Sequence, residues 1–400
     1  MKKVVLVILA GLFFSSSSLA QEIKVGAVFP LSGPMAALGD ESYRGLELAK
    51  DVQNGKGGIQ GKKIQIIKAD APSAAAAVGE ADRLIAMQGA KVLTGSFSSS
   101  ISLSASEVAE RNRAIYFELG AISDDITNRG FKYLFRIVPP GSEISYLSVS
   151  IIKDLIAPKL GIKPDAAKLA IVHEDTLYGT TVANYAEKKA KELNIRIVYK
   201  EGYSGKALDL SSMVQRMKAA VPDVVIASSY MNDAILLVRQ SIELGFKPKA
   251  FIGTGAAYSM TELYNALGKN LDNVISTDIP LYNINHKFCP GMKEFVELYK
   301  EKYKEPPRSG LSLMNYMGAL MVWRILEKAG SVDPEAIRKA ALETDIPPQT
   351  TPTGWGVKFD PSTGQNVKGF FTANQWEKGE LWTIWPKEAA VRDLKFPLHW

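Results

Sequence analysis

Cysteine is almost absent from this 400-residue chain: Cys289 stands alone, so no internal disulfide can form and stability has to come from core burial. Histidine is nearly as scarce. His173, His286 and His399 are the only three, and no two share the helical spacing of a metal-ligand pair. Lysines are scattered through helix-like segments such as Ala186 to Leu193. No basic stretch is interleaved with aromatics, which argues against a nucleic-acid surface. There is no internal repeat of solenoid length and no low-complexity tract beyond the first residues. The apolar run Val4 to Phe14 is well short of the roughly 20 residues that span a bilayer.

That run has a different meaning in its setting. Lys2 and Lys3 precede it, and Ser15 to Ser18 and Leu19-Ala20 follow: a basic start, an apolar middle and small residues ahead of a cut form a signal peptide. Cleavage after Ala20 is expected to leave Gln21 as the mature amino terminus of a periplasmic protein. No cysteine follows the run to take a lipid anchor. The cut removes Lys2 and Lys3 and no acid, so the net charge falls from +6 to +4.

The mature chain reads as short apolar runs alternating with longer amphipathic segments. Strands are expected at Ile23 to Phe29, Lys63 to Ala69, Lys91 to Gly95 and Ala114 to Phe117, with helices within Met35 to Gln53, Ala74 to Met87 and Ile101 to Arg111. Strand alternating with helix implies parallel sheets with right-handed crossovers. The rhythm pauses at Phe131 to Pro140 and restarts with strands at Lys168 to His173, Ile195 to Tyr199, Asp223 to Ala227 and Ala250 to Gly253. A second doubly wound unit is the simplest account. Val274 to Pro280 is again extended, three helix-like stretches follow, and Trp355 to Trp385 carries hairpin features with turns at Asp360 to Gly364 and Lys378-Gly379.

No set of catalytic residues emerges. Asn54 to Lys63 is rich in glycine and lysine, but a phosphate loop needs Gly, four residues, then Gly-Lys and a hydroxyl residue; Lys56 and Lys63 occupy those key positions. Gly253-Thr-Gly255 lacks the third glycine of a dinucleotide fingerprint, Tyr258 standing there. Gly95-Ser-Phe-Ser-Ser-Ser100 places serines where a hydrolase presents its nucleophile, yet Ser99 replaces the closing glycine of that elbow. His173-Glu174-Asp175 are adjacent at a strand end and point in different directions. The serine loop makes sense as a binding element: it follows a strand and opens a helix, so backbone N–H groups and the hydroxyls of Ser98 to Ser100 would meet where a helix amino terminus favours an anion. Capping of that helix is the plainer role, and both can hold at once.

Lys24-Val-Gly-Ala-Val-Phe-Pro-Leu-Ser-Gly-Pro34, Gly39-Asp40 and Gly57-Gly-Ile-Gln-Gly61 resemble the opening of the leucine/isoleucine/valine-binding protein family. Ser98-Ser-Ser100, Gly120-Ala121, His173-Glu-Asp, Tyr178-Gly179, Tyr230, Val238-Arg-Gln240, Gly245 and Trp385-Pro-Lys-Glu follow in that family's order. The resemblance implies a type I periplasmic binding protein: two doubly wound Rossmann-like α/β lobes joined by three crossovers near Ile137, Thr277 and Phe371. Residues 21–137 with 278–371 would form one lobe, and residues 138–277 with 372–400 the other. It implies a receptor that hands a small-molecule ligand to the permease of an ABC importer in the inner membrane; no enzymatic activity and no cofactor are expected, and a monomer suits such a freely diffusing carrier.

Carried over residue by residue, the ligand loops are Ser98 and Ser99, Gly120 to Ile122, Tyr178 and Tyr230, with Leu38 adding apolar surface. The serine would hold a carboxylate, the Gly120-Ala121 loop would offer backbone groups, and the tyrosines would face them from the opposite lobe. Amino-acid-binding members hold the ammonium with a threonine at the position matching Ile122 and an acid in the loop matching Gly253 to Ala256; here that loop has Gly255. The expected ligand is therefore a small carboxylate with an apolar or aromatic body. The alternatives are a branched-chain amino acid, with Glu118 turned inward to pair its ammonium, or a periplasmic sensor of the same fold.

Overall fold

The computed structural model describes residues 22–400; the export segment expected at residues 1–20 lies outside them. The first lobe is built on β1 (Ile23–Phe29), β2 (Ile64–Asp70), β3 (Val92–Gly95), β4 (Ile115–Glu118) and β5 (Leu134–Arg136), all parallel and ordered β2-β1-β3-β4-β5. β1 reads Ile-Lys-Val-Gly-Ala-Val-Phe and is buried on both faces except at Lys24, as a central parallel strand covered by helices must be. Val25, Ala27 and Phe29 pack into the cluster that holds Leu46 of α1 (Ala36–Gly55), while Val28 packs with Leu84 of α2 (Ala74–Ala86) and Val108 of α3 (Ser99–Arg111).

The second lobe carries α4 (Gly141–Ile151), α5 (Ala157–Leu160), β6 (Lys168–Glu174), α6 (Leu177–Glu192), β7 (Arg196–Tyr203), α7 (Ser211–Ala219), β8 (Val224–Ser228), α8 (Met231–Glu243), β9 (Ala250–Thr254), α9 (Thr261–Leu267) and β10 (Ile275–Asp278). The chain then returns to the first lobe with α10 (Met292–Tyr303), α11 (Gly310–Ala329), α12 (Pro334–Leu342) and a short pair, β11 (Asp345–Ile346) and β12 (Val357–Lys358). It closes with the antiparallel hairpin β13 (Thr372–Glu377) and β14 (Glu380–Trp385) on the second sheet. That sheet runs β14-β13-β10-β9-β8-β6-β7. Gly45 lets α11 close on α1: a Cβ there would stand 2.0 Å from the Ser312 carbonyl oxygen.

Both sheets share one logic. The strand order reverses beside β1 in the first and beside β6 in the second, and the crevice past the carboxyl ends at such a switch point is where open α/β sheets bind ligands. Among the described residues no helix is long and apolar enough to cross a membrane.

One element was not anticipated. Gly141 to Ile151 forms α4, continued by a π-helical turn over Ile152–Ile156. Its serines and β-branched residues favour other conformations in isolation, but Ser145 and Ser148 donate to the carbonyls of Gly141 and Ile144 (2.6 and 2.7 Å) and the helix buries Ile144, Val149 and Ile151. Tertiary burial overrides the local preference.

Candidate functional site

The loop between β3 and α3 is assembled from its own polar groups. Ser98 is extended at the helix start, with no side-chain cap bond. The Ser96 hydroxyl takes that role locally, accepting from the Ser98 N–H (3.1 Å) and donating to the Ser98 carbonyl (3.0 Å). The first N–H groups of α3 have no intrahelical acceptor, and they carry the positive end of the helix dipole. Ser99 accepts from the Ser123 N–H through its hydroxyl (3.2 Å), which ties this loop to the next.

The loop after β4 is held from both sides by buried ionisable side chains. Glu118 Oε1 accepts from the N–H groups of Gly120 and Ala121 (2.6 Å each), and Oε2 accepts from Ser96 N–H (2.9 Å). Burial pushes its carboxyl up to about 8, against the pull of those donors. Arg136, also fully buried, donates to the carbonyls of Ala121 and Ser123, to Thr127 Oγ1 (3.2 Å) and to Gln365 Oε1 (2.5 Å). Burial lowers its guanidinium to about 10, with Asp124 and Glu118 drawing it back up. This arrangement corrects two expectations. The Gly120 and Ala121 N–H groups point at Glu118 and are not offered to a ligand, and Glu118 turns into its own lobe and cannot serve as an ammonium partner.

The opposite wall comes from the second lobe. Tyr178, at the start of α6, donates to the Thr254 carbonyl, and its oxygen lies 3.0 Å from Thr254 Oγ1. Tyr230 precedes α8; Asp233 accepts from its N–H (3.3 Å) and from the Tyr203 hydroxyl (2.9 Å). The Tyr178 and Tyr230 rings lie 5.4 Å apart, and Tyr230 meets Phe97 of the first lobe edge-on at 6.2 Å.

Between these walls is a cavity of about 40 Å3. Gly120, Ile122, Tyr178, Tyr230 and Gly255 line it, together with Phe97, Val138, Ile144, Thr254, Met314 and Phe371. Ser98, Ser99, Ala121 and Leu38 do not. The two serines and Ala121 are buried, and Leu38 packs in the cluster that holds Phe97 and Met231. Small-molecule pockets usually measure roughly 300–1,000 Å3, so the lobes are closed on one another. Contacts across the seam hold them: Arg308 pairs with Glu262 of the second lobe (3.2 Å) as well as with Asp40 and Glu41 (2.7 and 3.0 Å), and the hydroxyls of Ser123 and Thr181 lie 2.7 Å apart. A larger groove of about 560 Å3 runs along the outer seam between Tyr282, Val296, Trp376 and Leu381. Lys293, Lys300, Arg308, Glu297 and Glu380 give it mixed charge; the cleft past the carboxyl ends of the parallel strands is the candidate site.

Sequence reasoning passed over Asp278. It ends β10, in the extended run Val274 to Pro280, and lines the cavity beside Gly255 because Thr277 pairs with Thr254 in the sheet. Its Oδ1 accepts from Ile279 N–H (2.7 Å), and burial pushes its carboxyl up to about 6. A charged residue at the carboxyl end of a parallel strand was the available signal. Among the described residues no cluster of histidine, cysteine and acids has the makings of a metal site. His173 has its Nδ1 2.8 Å from the Glu174 carbonyl oxygen.

The sequence matches the family model described as periplasmic binding protein over residues 22–380. It is 39% identical over 397 residues to Leu/Ile/Val-binding protein homolog 7 of Brucella abortus (strain 2308), covering 99% of each chain. Among solved structures it resembles the branched-chain amino acid transporter substrate binding protein LivJ of Streptococcus pneumoniae in complex with isoleucine (TM-score 0.76, 23% identity, 94% of this chain and 100% of that one). It also resembles a solute binding protein of an ABC transporter from R. palustris in complex with 4-hydroxybenzoate (TM-score 0.78, 19% identity, 94% and 98%). At such identities the two structures speak to the fold.

Proposed function

This chain belongs to the periplasmic binding protein family, and we propose that it is the substrate-binding receptor of an ABC importer of the branched-chain amino acid type, carrying a small carboxylate with an apolar or aromatic body between two closing lobes. The observation that carries this reading is the cleft cavity itself, whose walls come from both lobes: the loops at the amino end of α3 and after β4 on one side, Tyr178 and Tyr230 on the other. A ligand carboxylate would take the unpaired N–H groups of the first turn of α3. Its body would replace the Phe97–Tyr230 contact that fills the closed cleft.

Closure is then a two-state equilibrium, biased by a ligand that touches both lobes. The closed receptor, a monomer in the periplasm, docks on the permease of its importer and releases its cargo unchanged. The names and bound ligands of the relatives suggest the first probes: leucine, isoleucine, valine and 4-hydroxybenzoate.

A thermal-shift screen of the mature chain against those compounds tests the reading, because a ligand that binds only the folded state must raise Tm. Tyr230→Ala should weaken the best ligand about tenfold or more, in the range for truncating a central aromatic contact. An unchanged Kd for that variant would contradict the placement of the site.

A further inference from the structure

We propose that Arg308 is a latch that sets how tightly the receptor closes on its ligand without helping to choose that ligand. The proposal rests on the reading of the cleft as the ligand site and of binding as closure. Among the described residues the Arg308–Glu262 pair (3.2 Å) is the one ion pair that joins the two lobes; the others each lie within one lobe. A backbone bond runs beside it, the Thr261 N–H donating to the Arg308 carbonyl (2.9 Å). Side chain and main chain of one first-lobe residue thus both grip the start of α9 in the second lobe.

The first-lobe half of this contact is built in advance. Arg308 Nε donates to Glu41 Oε2 (3.0 Å), its backbone N–H to Glu41 Oε1 (3.1 Å), and Nη2 to Asp40 Oδ2 (2.7 Å). Glu41 is fully buried and also accepts from the hydroxyls of Tyr299 (2.7 Å) and Ser312. These partners stand on α1, α10 and α11, so they move with Arg308 when the lobes part. Pro306 and Pro307 stiffen the segment that leads to it. Nη1 is the arm left for the other lobe, and closing orders the Glu262 carboxylate against a guanidinium already fixed. Preorganisation of this kind lowers the entropic cost of making the contact.

Position separates the latch from the ligand. Arg308 and Thr261 line the outer seam groove, and neither they nor Glu262 line the cleft cavity. Arg308 nevertheless stands just ahead of α11, whose Leu311 and Met314 do line it, so latch and cleft close in one movement. A contact made only in the closed state raises the population of that state and the apparent affinity for every ligand by the same factor. The side chains of Arg308 and Glu262 keep 19% and 31% of their exposure, which lets salt screen the pair. The Ser123–Thr181 hydroxyl contact across the seam carries no charge to screen.

The test is isothermal titration of the mature chain and its Glu262→Gln, Glu262→Lys and Glu262→Asp variants at about 50 mM and about 500 mM sodium chloride. Arg308 itself is kept, since its loss would strand the buried Glu41 and mix stability with closure. The probes are leucine, isoleucine, valine and 4-hydroxybenzoate. At low salt Glu262→Gln should weaken every compound that binds by roughly three- to fivefold. Glu262→Lys, which sets a second cation against Arg308, should cost about tenfold or more. Glu262→Asp keeps the charge on a shorter arm and should fall between wild type and Glu262→Gln. The ratio of affinities between compounds should stay within about twofold in all variants. Added salt should weaken the wild type more than Glu262→Gln and bring the two together.

An unchanged Kd for Glu262→Lys overturns the proposal. So does a loss confined to one compound, which would put Glu262 on the ligand, and so does an equal salt response of wild type and Glu262→Gln. Failure of the cleft reading has a separate signature. If Tyr230→Ala leaves every affinity unchanged, the site itself is misplaced; if Tyr230→Ala weakens binding and Glu262→Lys does not, the cleft stands and only the latch falls.

Discussion

Replacing Arg136 with methionine should lower Tm of the chain by roughly 6 to 20 °C, the equivalent of losing about 3–5 kcal/mol from a lobe of roughly 200 residues. Methionine fills much of the same volume but donates nothing. The carbonyls of Ala121 and Ser123, Thr127 Oγ1 and Gln365 Oε1 all lose a donor in a fully buried site, and each orphaned acceptor costs about 1–3 kcal/mol. Arg136→Lys should fall between wild type and methionine, because an ammonium keeps the charge and not the planar fork that reaches four acceptors. Because the clamped loop includes Gly120 and Ile122 of the cleft wall, ligand affinity should drop with stability. A Tm within about 2 °C of wild type for Arg136→Met would contradict the clamp.

The second large effect is the response to pH. Burial raises Glu118 to about 8, Asp233 to about 7 and Asp278 to about 6. Each group keeps its proton in the folded chain over a range where the unfolded chain has released it. A raised carboxyl pKa therefore contributes stability that is fully present below the unfolded value and is lost as pH climbs through the folded value. Acids with lowered values act the other way: Glu187, held at about 2 by Lys191 and Lys200, contributes above the unfolded value and loses that contribution as pH falls toward 2. It is a surface group and a small term.

The ligand-free protein should accordingly be most stable near pH 5, with Tm falling by on the order of 5 °C or more between pH 5 and pH 8. Glu118→Gln should be less stable than wild type at pH 5, since an amide cannot accept from all three N–H groups, and should show a shallower decline toward pH 8. A flat profile across that range would mean that the buried carboxyls ionise as freely as exposed ones.

The fold was readable because its strands are short apolar runs set between longer amphipathic segments. Ile23 to Phe29 is buried except at Lys24 and punctuated by Pro30, and the hairpin at Lys378-Gly379 announces its own turn. Helix α4 was not readable, since its serines satisfy themselves through bonds visible only once the helix exists. Of the site, the loops were legible and the directions of their side chains were not. Whether Glu118 faces the cleft or the lobe interior depends on three N–H groups in two separate loops converging on it, which no local pattern encodes. Asp278 reaches Gly255 only because β9 and β10 pair in register, a long-range contact that strand periodicity cannot announce.

The most direct test of this account is a crystal structure of the mature chain with whichever compound of the thermal-shift screen binds it best. The account predicts the ligand between the lobes, its carboxylate on the N–H groups of the first turn of α3 and its body against Tyr178 and Tyr230. A ligand lodged in the outer seam groove beside Tyr282 and Trp376, or one in the cleft with no anionic group at α3, would contradict it.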